Sequence, residues 1–198
     1  MALKRFLGWG SSSWLLVLLL ASSGAQAATL NVVGGILHGA SGVDVGGSLY
    51  DVTFVDGTCI ALFSGCDSAS DFTFTSSSAA TAASQALLDQ VFIDGVSGNF
   101  DTDPALMFGL SSTAYGYAWT PFASDATYVQ IVSALNHTSE GFDYPAFHGP
   151  AEFTRTYNTA AANVFVYAIW TPVPEPSSAL LIAMGLAGLG WRGRAKHA

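Results

Sequence analysis

The chain is predicted to fold as α+β: a mainly antiparallel β-sheet with one helix packed on a face. Period-2 alternation of apolar and polar residues recurs through the middle of the sequence. One window, about residues 78–93, repeats at three and four instead. Short apolar runs at the two ends are each flanked by basic residues and stand apart from the core-forming region. These features divide the 198 residues into a signal segment (1–27), an exported globular domain (28–172) and a C-terminal segment (173–198).

The N-terminal segment has the parts of a secretory signal peptide, and a signal helix is expected there. Lys4 and Arg5 supply the positive end, 14–21 the apolar core, and Ala25 and Ala27 the small residues of an A-x-A cleavage site. The apolar core is far short of the ~20 residues that a spanning helix needs. The partners implied are the general secretion machinery and signal peptidase.

In the domain, 30–37 reads as a strand ended by Gly39, Ser41 and Gly42. Gly46-Gly47 leads into a strand over 48–55, where Tyr50, Val52 and Phe54 alternate with Asp51 and Thr53. Asp56-Gly57 is a turn signal, 59–63 a short apolar run, and 71–75 a further short strand. Ser76, Ser77 and Ser78 are N-cap candidates for the helix. Ala80, Ala83, Leu87 and Val91 form its stripe, widened by Leu88 and Phe92, and Gly95 ends it. Strands follow over 113–120 and 126–135. The segments 151–157 and 163–170 read as a terminal hairpin or as neighbouring strands. Apolar on both faces, 163–170 belongs centrally in a sheet covered on both sides. A β-sandwich carrying a decorating helix is the alternative architecture.

Charge is lopsided. Thirteen of the fourteen carboxylates but only one of the six basic residues, Arg155, fall in the domain, giving it a net charge near −12. That excludes nucleic acid as a partner and favours cations. Cys59 and Cys66, an even pair in an exported chain, read as a disulfide. Free thiols and a metal site are the alternatives, though C-x6-C supplies only two ligands.

Enzyme signatures are missing. Gly109-Leu110-Ser111-Ser112-Thr113 lacks the second glycine of a nucleophile elbow. There is no H-E-x-x-H, and His38, His137 and His148 lie far apart in sequence. The expectation is a protein that is not an enzyme, with a triad assembled in space as the reading that would make it a hydrolase. Two binding candidates remain. Asp94, Asn99, Asp101 and Asp103 gather hard oxygen donors on a glycine-rich loop, the chemistry that calcium takes, although without EF-hand spacing. A solvated turn is the simpler account of that loop. Tyr115, Tyr117 and Trp119 share one strand face. Exposed, they make a platform for sugar rings; buried, they are core facing the helix. No resident cofactor is otherwise expected.

The C-terminal segment opens with Pro172, Pro174 and Pro176, which oppose helix and hold the chain extended. The apolar run 177–191 is expected to be a transmembrane helix. At ~1.5 Å per residue it covers about 22 Å, short of a ~30 Å hydrocarbon core. Arg192, Arg194 and Lys196 then hold the end in the cytoplasm. Pro174-Glu175-Pro176, the Leu/Ala/Gly-rich run and the Arg-containing tail resemble, in that order, the PEP-CTERM protein-sorting signal of Gram-negative bacteria. The resemblance implies a precursor held transiently in the inner membrane. It also implies recognition of Pro174, Glu175 and Pro176 by an exosortase, and release to the cell surface or the extracellular matrix. A structural or interaction role in biofilm or exopolysaccharide follows from the same resemblance, with a polysaccharide- or calcium-binding module as the alternative. Residues 46–95 also resemble a segment that recurs in uncharacterised exported bacterial proteins, a likeness that implies no activity.

Overall fold

The computed structural model describes residues 27–174. Nine strands form, in chain order: β1 (Thr29–Val33), β2 (Ile36–Val45), β3 (Ser48–Val55), β4 (Asp94–Gly95), β5 (Gly98–Asn99), β6 (Tyr115–Ser124), β7 (Tyr128–His137), β8 (Tyr144–Thr154) and β9 (Phe165–Pro172). A one-turn helix, α1 (Cys59–Leu62), and the main helix, α2 (Ser77–Gln90), follow β3. Seven strands make one sheet in the order β1-β2-β3-β9-β6-β7-β8, and β4 and β5 pair separately as a small hairpin. All pairs in the large sheet are antiparallel except β6 with β9, which is parallel. The α+β expectation of a mainly antiparallel sheet with one packed helix holds.

The helix forms where the apolar period predicts it. Ser76 caps it, accepting from the Ala79 amide, and the stripe residues Ala80, Ala83, Leu87 and Val91 are fully buried. Small alanines let the helix lie close to the sheet, and the Ser84 hydroxyl donates to the Val132 carbonyl of β7 at 3.1 Å. Val52 and Phe54 of β3 and Val166, Ala168 and Trp170 of β9 complete this helix-side core.

The opposite face is covered by two segments that run across it, 57–74 and 155–164. Beneath them lies a second core of Phe63, Phe72, Trp119, Val129, Ile131, Tyr167 and the two cysteines. Arg155, the single basic residue among the described residues, ties these segments to the β6–β7 turn. Its guanidinium donates to the carbonyls of Gly65, Asp125 and Ala126. As expected, β9 is the fourth of seven strands and apolar on both faces. Val166 and Ala168 enter one core and Tyr167 the other.

Three expectations need correction. The run 30–37 is not one strand: Gly34 and Gly35, at φ +60° and +84°, turn it into a hairpin, and β2 continues through the glycines thought to end it. The short apolar run 59–63 forms the one-turn helix α1, which Thr58 caps by accepting from the Ala61 amide. Residues 71–75 are not a strand. Phe72 enters the second core and Phe74 the helix-side core, so the chain passes from one face to the other there. Finally, 151–157 and 163–170 neither form a hairpin nor sit side by side, since β9 is inserted between β3 and β6 while β8 lies at the edge beside β7.

Register fixes where the chain enters and leaves. Leu30, Ala40, Val52 and Trp170 lie in one row across β1, β2, β3 and β9. The start of β1 and the finish of β9 therefore lie at the same end of the sheet, about 14 Å apart at three strand spacings. The start of β6, the finish of β7 and the start of β8 lie at the opposite end. Among the described residues, no helix is long and apolar enough to cross a membrane. The signal segment up to residue 26, including Ala25, and the expected span 177–191 lie outside the described residues.

Candidate functional site

The end of the sheet opposite the start of β1 and the finish of β9 carries a group of aromatic and imidazole rings. β6 contributes Tyr115 and Tyr117, and β7 contributes His137, which pairs with Tyr115 across the strands. Tyr144 opens β8, opposite Leu135. Phe142 precedes it in the β7–β8 connection. Tyr115 stacks on His137 with ring centres 6.4 Å apart and meets Tyr117 edge-on at 5.8 Å. His137 lies 5.3 Å from Phe142. Tyr115, Phe142 and Tyr144 are 40%, 61% and 52% exposed, so this is open surface rather than core. Burial, with Tyr115 and Tyr144 close by, pushes the Tyr117 phenol above its ordinary range.

The stripe Tyr115, Tyr117, Trp119 thus grades from exposed to fully buried along one strand. Trp119 lies in the second core against Phe153, Phe165 and Tyr167, not against the helix. The small residue Gly116 points the other way, where a side chain would collide with Leu110. The exposed surface adds His137, Phe142 and Tyr144, which sequence reasoning missed. Only the cross-strand register of β7 and β8 brings them to Tyr115.

Acidic side chains border these rings. The Asp143 carboxylate accepts from the His137 amide at 2.7 Å. Asp101 faces Asp143. Burial, a hydrogen bond with Asp143 and repulsion from Asp143 and Asp94 push its pKa up to about 6. Asp94 is shifted the other way. Slight burial opposes ionisation there, but the Thr102 hydroxyl and the Thr102 and Asp101 amides donate to the carboxylate and hold its pKa low. Among the described residues, the one contact between a carboxylate and a basic side chain is Glu152 with His148, so none of these aspartates has a basic counterion.

Three of the four side chains of the candidate calcium loop, Asp94, Asp101 and Asp103, have partners within the chain. Asp94 organises the loop, Asn99 pairs with it across the β4–β5 hairpin, and Asp103 accepts from the Ala105 amide to cap a turn of 3-10 helix. Among the described residues, no group of three or more His, Cys, Asp or Glu is placed to hold a metal ion. Cys59 and Cys66 form a disulfide, fully buried in the second core.

A Ser-His-Glu relay lies deeper on the aromatic face. The Ser133 hydroxyl is 3.0 Å from Nε2 of His148, and Nδ1 of His148 is 2.7 Å from Glu152. The connectivity is that of a hydrolytic triad. Ser133, however, is fully buried, and its hydroxyl also reaches the carbonyl of Ala146, its partner on the neighbouring strand β8. In this arrangement the serine and glutamate fix the orientation of the imidazole. The relay pairs β7 with β8, so sequence order alone does not reveal it.

Of the tail's sorting residues, Pro174 is the last described and is exposed, and the Val173 amide still donates to the Leu49 carbonyl of β3. Glu175, Pro176, Arg192, Arg194 and Lys196 lie outside the described residues. Comparison with family models matches the PEP-CTERM protein-sorting motif at residues 172–195. Comparisons with curated proteins and with solved structures return no match. The chain therefore carries a PEP-CTERM sorting signal, which implies export, a membrane-anchored precursor and processing by exosortase.

Proposed function

We propose that this exosortase substrate, once released, serves as a non-catalytic protein of the cell surface or extracellular matrix, engaging exopolysaccharide in a biofilm. The observation that carries the reading is the group formed by exposed Tyr115, Phe142 and Tyr144 with half-buried Tyr117 and His137, at the end of the sheet opposite the finish of β9. Aromatic faces stack on the C–H faces of sugar rings, while phenol and imidazole groups at their rims supply hydrogen bonds. Placement matters as much as chemistry: a precursor tethered by its tail presents this end outward.

The test uses the processed protein purified from its host, sedimented with the host's own extracellular polysaccharide. The wild type is expected to co-sediment. A Tyr115→Ala/Tyr144→Ala variant with an unchanged melting temperature is expected to stay in solution. Co-sedimentation of both to the same extent would remove the aromatic surface from the reading.

A further inference from the structure

We infer that the aromatic end selects a cationic glycan, a polymer of amino sugars with free amino groups, over neutral or acidic ones. The inference rests on the polysaccharide reading above and narrows it to a ligand class.

Charge decides the class. The domain carries one arginine against thirteen carboxylates, and that arginine is spent on three carbonyls beside the β6–β7 turn, at the opposite end of the sheet. No lysine or arginine stands near the aromatic end among the described residues, so an acidic glycan finds no counter-charge there. Asp143 sits between Phe142 and Tyr144 in sequence, and its carboxylate accepts from the His137 backbone amide, which ties an acidic group to the segments that carry these three rings. Asp101 and Asp94 stand behind it with no basic partner. An ammonium group bound at this border relieves their mutual repulsion and gains a cation–π contact with tyrosine.

Shape decides between a sugar and a basic peptide. The rings meet as one stacked pair and one edge-on pair, interspersed with phenol hydroxyls and an imidazole. Such a surface suits a ligand with an apolar C–H face ringed by polar groups, which describes a pyranose.

The mature protein from its host is titrated calorimetrically at about pH 6 and low ionic strength, where exposed charges are least screened. Four probes of similar length are used: glucosamine oligomers, N-acetylglucosamine oligomers, glucose oligomers and oligolysine. Glucosamine oligomers are expected to bind at least about tenfold more tightly than either neutral series. That preference should vanish in Asp143→Asn, which keeps the acceptor for the His137 amide but not the charge. All sugar binding should weaken in Tyr115→Ala/Tyr144→Ala. Equal binding of acetylated and free-amine oligomers overturns the cationic inference while leaving the polysaccharide reading intact. Binding of oligolysine as tight as glucosamine oligomers, unaffected by the tyrosine changes, also overturns it, because charge alone would then account for binding. No binding of any sugar sinks both.

Discussion

Asp101 shows how a single carboxyl reports its surroundings. Its pKa, raised to about 6, means that the folded state holds its proton more tightly than the unfolded chain does. A raised acid pKa contributes stability below the unfolded value near 3.8 and loses it as pH climbs through about 6. At neutral pH the ionised pair with Asp143 is therefore a liability. Asp101→Asn is expected to raise the melting temperature at pH 7.5 and to leave it unchanged at pH 4. Solvent screening at so open a position limits the gain to the order of 2 °C. Thermal unfolding at the two pH values checks the sign; a gain at pH 4 equal to that at pH 7.5 would mean that the pair does not repel. None of this was visible in sequence. The acidic loop could be read as Asp-rich, but its partner Asp143 lies forty-two residues on and reaches it only through the β7–β8 connection. The tyrosine stripe was half legible in the same sense. Alternation placed three rings on one face, but whether each is wet depends on which segments cover that face. The crossing segments bury Trp119 and stop short of Tyr115.

Elements were legible where their periodicity is local. β3 and α2 form over the residues that alternation and the three-four stripe mark, because one buried face is enough to specify each. The segment after β3 was opaque for the opposite reason. Its apolar residues serve two cores, and its shape is set by caps, by three consecutive residues at positive φ (Ser64, Gly65 and Cys66) and by the disulfide. The Cys59–Cys66 bridge closes a loop with a sequence separation of seven, which in the chain-entropy picture contributes about 2–3 kcal/mol. Replacing both cysteines with alanine is expected to lower the melting temperature by roughly 5–10 °C. Reduction of the unfolded wild type followed by refolding in reductant should reproduce the loss. A double variant as stable as the parent would show that packing of the second core, not the bridge, holds this segment.

At the scale of the whole molecule, the sequence separated three regions by charge and hydropathy, and the sorting signal that those patterns suggested is present at residues 172–195. Strand order was beyond reach, since placing the last strand between the third and sixth requires knowing which faces other segments cover. That order has a mechanical meaning. A molecule gripped at its aromatic end and held by its C-terminus is loaded along the strand axes, so the hydrogen bonds joining β6 to its parallel neighbour β9 are strained together, in shear. A molecule pulled between its two termini is loaded sideways instead, because β1 starts and β9 finishes at the same end. The edge strand β1 then peels from β2 one pair at a time. Single-molecule stretching with attachment at residue 144 and the C-terminus is expected to need a distinctly larger force than stretching from terminus to terminus. Equal forces would refute the shear arrangement. A protein of this build yields easily when handled by its ends and resists when tugged between its aromatic end and its C-terminus.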